Sequence, residues 1–217
     1  MSVLYLVRHG QASFGTDDYD RLSPRGMEQS RALGEHLKRQ GTIPTRVLSG
    51  GMKRQKQTAQ GATEAGGWAS ATDIDSGWDE FNATDLINAC PEGEPDSKTN
   101  PRAFQRLLER ASTRWASGDH DADYLETFPA FTRRVDEALG RAVAGLGSGE
   151  SSVVVSSSGA IAWAAARLLN GGFDQWLALN RVTINSGVTK IVAGSSGTTL
   201  ISFNDHAHLP QDWVTYR

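Results

Sequence analysis

Apolar and polar positions along this chain fall into short continuous runs that alternate with longer periodic stretches. Val3-Leu4-Tyr5-Leu6-Val7 is a run of five apolar residues, the pattern of a strand covered on both faces. Arg46-Val47-Leu48 and Val153-Val154-Val155 repeat it more briefly, and residues 70–75 offer another short strand. Between the runs the period changes to that of a helix. Ser23 and Pro24 form an N-cap and first turn, Met27, Leu33 and Leu37 a stripe, and Gly41 an end. A second helix is expected from about Met52 to Ala65. A third opens at Asn100-Pro101, with Phe104, Leu107, Leu108, Ala111 and Trp115 on one face, and closes at Gly118. A fourth starts at Thr127, with Phe131, Val135, Ala138, Leu139, Ala142 and Leu146 as its stripe, and is broken by Gly145, Gly147 and Gly149. Helices over Ala160–Asn170 and Phe173–Leu179 follow, then two strands, Val188–Ala193 and Thr198–Phe203, around Gly194-Ser195-Ser196-Gly197. Alternating strands and helices predict an α/β fold.

The remaining composition narrows the function classes. The 217 residues and 38% hydrophobic content suit one globular domain with a real core. A formal charge of −3 argues against a nucleic-acid or acidic-membrane partner. Cys90 is the one cysteine, which excludes an intrachain disulfide or a cysteine metal cluster. Met1-Ser2 runs straight into the first strand, with no leader-like or membrane-spanning segment, so a cytoplasmic location is expected. No internal repeat or long low-complexity segment is present.

The chemistry gathers at strand ends. The first apolar run stops at Arg8-His9-Gly10, and open α/β sheets bind ligands at the C-terminal ends of their strands. His9 can serve as nucleophile or general base near neutral pH. Arg8 can grip a tetrahedral oxyanion with paired N–H donors. Gly10 lets backbone approach a ligand closely. A capped strand end with a structural histidine is the competing reading. Two further apolar runs end alike, at Ser49-Gly50-Gly51 and at Ser156-Ser157-Ser158-Gly159, each just before a helix. Arg54 lies in the first turn of the helix after Ser49, where free N–H groups attract anions. Glu80, between Trp78 and Phe81, is a candidate proton donor if desolvation raises its pKa; Asp79 is the runner-up, and a helix-capping acid the bland alternative. Asp17, Asp18 and Asp20 in the loop Gln11–Arg21, and the tract Asp119-His120-Asp121-Ala122-Asp123, read as solvated acidic loops rather than metal sites.

Arg8-His9-Gly10, Leu22-Ser23, Gly26, Ser49, Arg54 and Gln57-Thr58-Ala59, in this order and spacing, resemble the histidine phosphatase superfamily, which includes the phosphoglycerate mutases. Asn204-Asp205 followed by His208-Leu209 is similar to the family's tail, which implies a structural role for His208. The resemblance implies a three-layer α/β/α sandwich with a mostly parallel central sheet and a small helical lid insertion at about 82–123 that sets substrate choice. It implies catalysis by His9, Arg8, Arg54 and Glu80, with Arg54 as second phosphate clamp and Glu80 protonating the leaving oxygen. Phosphate would lie against Arg8, Arg54, Gln11, Ser157, Ser158 and Gly159. No metal or other cofactor is implied, and the ligand would be a small phosphorylated substrate or free phosphate.

The chain departs from the family pattern where a second histidine is usual. Aligned on Gly159 and Ile161, that histidine falls at Ser157, and no histidine occurs between His120 and His206. Losing one charged donor costs about 10²–10³ in rate. His206 is an extra histidine that would have to swing toward the site to replace it. The expected function is therefore a phosphatase acting through a phosphohistidine on His9, of low activity if the third strand end limits it. A non-catalytic phospholigand sensor is the alternative from another class. A mutase is a weaker reading, because the mutases' tryptophan-asparagine pair is replaced here by Phe14-Gly15. Pro91–Lys98 carries no readable ligand signature. An edge strand near the C-terminus offers a pairing edge for a homodimer, although nothing in the sequence requires one.

Overall fold

The computed structural model describes residues 1–13, 20–91, 93–97 and 99–216. These form two compact units, Met1–Glu80 with Val135–Arg217, and Phe81–Arg134. Phe14, Gly15, Asp17, Asp18 and Lys98, each weighed in the sequence, lie outside the described residues.

The first unit is built on a six-stranded sheet. Its strands are β1 (Ser2–Arg8), β2 (Arg46–Ser49), β3 (Thr72–Ile74), β4 (Ser151–Ser156), β5 (Val188–Gly194) and β6 (Gly197–Asp205), in the order β3-β2-β4-β1-β5-β6. β3, β2, β4 and β1 run parallel. β5 and β6 form the C-terminal hairpin and pair antiparallel to β1 and to each other. β1 thus lies between β4 and β5 in the sheet interior, which is why its run is apolar on both faces: Leu4, Leu6 and Val7 have no exposure. Each such side chain contributes on the order of 2 kcal/mol by burial.

The period of two divides the sheet residues between two layers. Tyr5, Val7, Val47, Val153 and Val155 join Leu33 and Leu37 of α1 (Pro24–Arg39) and Ala59 and Ala62 of α2 (Lys53–Gly66) in one core. The alternate residues Leu4, Leu6 and Val154 face the other side, where α6 (Ser158–Leu168) packs against β1 and β6 and pairs with α7 (Phe173–Val182). α6 is buried nearly all round, as its alanine-rich sequence requires. The result is a three-layer α/β/α arrangement. No helix among the described residues is long and apolar enough to cross a membrane.

One expectation changes in α1. Ser23 caps it as read, its hydroxyl accepting the Gly26 N–H at 3.0 Å. Met27, however, is 44% exposed, and the buried face instead carries Gly26, Gln29, Ser30, Leu33, Gly34 and Leu37. The start of α1 packs on polar backbone rather than on the apolar core. That backbone is the loop after β1, with Gln11 O taking the Ser23 N–H at 2.9 Å.

The second unit holds α3 (Ala83–Asn88), α4 (Pro101–Ala116) and the start of α5 (Phe128–Ala144). Asn100 caps α4 by accepting from the N–H groups of Arg102 and Ala103. Its interior is aromatic. Trp115 lies 5.4 Å from Phe81 and 5.1 Å from Phe128, and its indole N–H donates to Glu126 O at 2.7 Å. Phe128 and Phe131 complete the cluster. Asp123 of the acidic tract pairs with Arg114 at 2.5 Å.

Candidate active site

β1 ends at Arg8, and His9 is the first residue beyond the strand. The His9 N–H still bonds Ser156 O at 2.9 Å, which anchors the residue to the end of β4. The imidazole is buried, with 5% exposure. Nδ1 lies 2.7 Å from Gly10 O, and a carbonyl only accepts, so Nδ1 carries the proton. Nε2 accepts from Arg54 Nε at 3.0 Å. The ring is therefore held neutral with its Nε2 lone pair toward a guanidinium. The electrostatics agree. Burial pushes the His9 pKa well below 6.5, and the charges of Arg54 and Arg8 push it further, against a smaller opposing effect of the Gly10 carbonyl.

Arg54 sits in the first turn of α2 and is oriented from two directions. Nη1 donates to Asp20 Oδ1 at 2.6 Å, while Asp20 Oδ2 accepts the Lys53 N–H at 2.9 Å. Asp20, expected in a solvated loop, thus caps α2 and fixes the arginine beside His9. Thr58, one turn further along, accepts the Gly10 N–H at 2.9 Å and donates to Arg54 O at 2.7 Å. Gln57 accepts the Leu22 N–H at 2.8 Å. The Gln57-Thr58 pair thereby locks α2 to the segments around His9 and Leu22.

Arg8 is also buried and donates through Nη1 to Thr183 O. The segment that receives it closes the site from below: Ser186 N–H donates to Arg8 O and His9 O, and Asn185 Nδ2 donates to His9 O at 3.2 Å. Nothing in the sequence pointed to residues 183–186. Their signal, a φ of +63° at Ser186, is visible only in three dimensions.

Gly10 has a packing role that its place after His9 did not announce. A Cβ there would stand 2.4 Å from Gly26 O, so the glycine admits the backbone of α1. Gln11 is engaged as well: its side-chain oxygen accepts from Ser23 Oγ at 2.9 Å, and its N–H donates to Gln29 Oε1 at 2.8 Å.

The third strand end brings in Glu80. Its Oε2 accepts the Gly159 N–H at 3.0 Å and Ser158 Oγ at 3.3 Å, so the carboxylate caps the N-terminus of α6. Two expected phosphate donors are thus bonded to the expected proton donor. Asp79 turns the other way and accepts the Gly51 N–H at 2.5 Å. Ser157, 1% exposed, accepts from Gln55 Nε2 at 2.9 Å. His206 bonds Asn204 O at 2.9 Å, while His208 lies 3.2 Å from Ser186 Oγ and against His36. No group of His, Cys, Asp or Glu among the described residues is arranged to hold a metal ion.

The geometry therefore gathers a neutral imidazole, two arginines and a carboxylate at the C-terminal ends of adjacent parallel strands. The model of the histidine phosphatase superfamily, branch 1, matches residues 4–206. A phosphoserine phosphatase from Entamoeba histolytica superposes with a TM-score of 0.69 at 19% identity, covering 97% of this chain and 100% of that one. A phosphoglycerate mutase from Bacillus anthracis gives 0.68 at 19% identity, covering 95% and 94%. A mycobacterial glucosyl-3-phosphoglycerate phosphatase gives 0.64 at 22% identity, covering 94% and 99%. At such identities the likeness is one of fold. Among curated protein sequences none is significantly similar.

Proposed function

This chain belongs to the histidine phosphatase superfamily, branch 1, and from that premise we propose that it is a phosphomonoesterase working through a phosphohistidine on His9. The observation that carries the reading is the state of that ring: neutral, its Nδ1–H given to Gly10 O, its Nε2 lone pair facing Arg54. An imidazole prepared in this way is a nucleophile at neutral pH.

In the first step a phosphate oxygen replaces Nε2 as the acceptor of Arg54. Nε2 attacks phosphorus in line as the bond to the leaving oxygen breaks, and Arg8 and Arg54 neutralise the equatorial oxygens. Glu80 gives its proton to the departing alkoxide. In the second step water attacks phosphorus, Glu80 takes its proton, and the N–P bond breaks to release phosphate and neutral His9. Glu80 already accepts two hydrogen bonds at the start of α6, which suits the base of this second step. The guanidinium groups supply the positive charge, so the proposal calls for no metal. It keeps the expected lid role of the segment near 82–123 and a cytoplasmic location.

The test is p-nitrophenyl phosphate hydrolysis in excess chelator, beside His9→Ala. Release that persists in chelator and disappears in the variant is the expected result. Phosphate-dependent thermal stabilisation without release would make the protein a phospholigand sensor, and exchange between 2- and 3-phosphoglycerate a mutase.

A further inference from the structure

Gln55 follows Arg54 on α2 and is wholly buried, although glutamine carries a long polar side chain that ordinarily stays in water. Its amide is fully committed. Oε1 accepts the Met52 N–H at 3.2 Å, and Nε2 donates to Trp78 O at 3.2 Å and to Ser157 Oγ at 2.9 Å. The orientation of the amide is fixed by chemistry. Trp78 O can only accept, so the group facing it is the NH2, and Ser157 Oγ beside it must be an acceptor as well.

The proton of Ser157 is consequently not spent on Gln55. Nor does Ser157 cap its own helix. It occupies the N-cap of α6 without a side-chain capping bond, because the Gly159 N–H it would receive goes to Glu80. Among the described residues Ser157 Oγ donates no hydrogen bond, and its one bond is the one it receives from Gln55. Ser157 is 1% exposed and follows the last residue of β4, Ser156, whose carbonyl accepts the His9 N–H. A buried hydroxyl with an occupied lone pair and an uncommitted proton is a donor waiting for an anion.

We infer that Gln55 is a positioning residue that turns the Ser157 hydroxyl into a neutral hydrogen-bond donor to the phosphoryl group, an inference resting on the phosphatase reading above. Donating to Ser157 Oγ, the amide prevents the hydroxyl from turning its proton toward α2. The donor does not titrate, so it adds no ionisation of its own to the rate profile, unlike an imidazole in its place.

The experiment measures kcat and KM for p-nitrophenyl phosphate from about pH 5 to about pH 8, with melting temperatures, for wild type, His9→Ala, Ser157→Ala, Gln55→Glu and the double variant Gln55→Glu/Ser157→Ala. Ser157→Ala is expected to lower kcat about 10–100-fold, the range for one hydrogen bond to a charged group, with little change in melting temperature. Gln55→Glu is nearly isosteric. As the new carboxylate ionises with rising pH it accepts the Ser157 proton, so kcat gains a limb that descends as pH rises, which the double variant lacks. A purely structural Gln55 would shift melting temperature and leave the shape of the pH profile alone. If Ser157→Ala and Gln55→Glu keep wild-type kcat and profile while His9→Ala is inactive, this inference falls and the phosphatase reading stands. If wild type neither releases p-nitrophenol nor is stabilised by inorganic phosphate, both fall. If it binds phosphate without turnover, the phosphatase reading fails; an unchanged phosphate affinity in Ser157→Ala then overturns the donor too, and a loss of about 10-fold retains it.

Discussion

His208 gives the sharpest stability prediction. Its ring is packed between Ser186, whose Oγ lies 3.2 Å from Nε2, and His36, 5.3 Å away between centroids and tilted by 36°. Burial lowers its pKa from 6.5 to about 4; the charge of His36 lowers it too, Asp205 opposes, and His206 and Arg39 add smaller effects in the lowering direction. The folded pKa is depressed, so as pH falls the unfolded chain takes up the proton first. The stability held in the neutral ring is complete above pH 6.5 and is lost as pH falls through about 4. At 1.36 kcal/mol per unit, the drop from 6.5 to about 4 corresponds to about 3 kcal/mol, an upper bound because the ring keeps some contact with water. Such a loss is a large share of the stability of an ordinary domain. The assay is urea unfolding at a series of pH values, for wild type and His208→Gln. Wild type should lose more stability than the variant between pH 6.5 and about pH 4. His9 acts in the same direction but is common to both proteins, so it cancels in the difference. Parallel curves for the two proteins would refute the reasoning.

Two further perturbations follow from the packing around His9. Gly10→Ala drives a Cβ to 2.4 Å from Gly26 O, where both partners are backbone, so we expect a loss of about 2–3 kcal/mol in thermal or urea unfolding. Asp20→Asn removes the charge that holds Arg54 Nη1 at 2.6 Å. Because Asp20 is 37% exposed, stability should change by less than about 1 kcal/mol. The kcat/KM for p-nitrophenyl phosphate should nonetheless fall about 10-fold as the guanidinium loosens.

The sheet was legible because its strands carry local signatures. Five apolar residues in a row announced β1, and small residues after β2 and β4 marked their ends. Arg54 was legible for the same reason, since a helix start is written in neighbouring residues. What surrounds His9 was not. Asn185 reaches His9 O across 176 positions, and Asp20 reaches Arg54 across 34. No window of sequence holds both members of such a pair. Met27 misled because apolar periodicity assumes an apolar partner, whereas the first turns of α1 lie on the polar loop behind His9. Glu80 was placed at the right strand end, but its environment was read from its neighbours in sequence. Its partners are instead the Gly159 N–H and the Ser158 hydroxyl, from the start of a later helix.

β1 is made well before the two strands that flank it, β4 and β5. The tail comes later still: Thr215 bonds Asn185, which bonds His9 O, and also receives Gln29. A growing chain therefore holds the segment around His9 without its strand partners until β4 and β5 have been made. Such non-local pairing costs loop-closure entropy before its contacts offset it, so folding is expected to be slower than for a fold of local contacts.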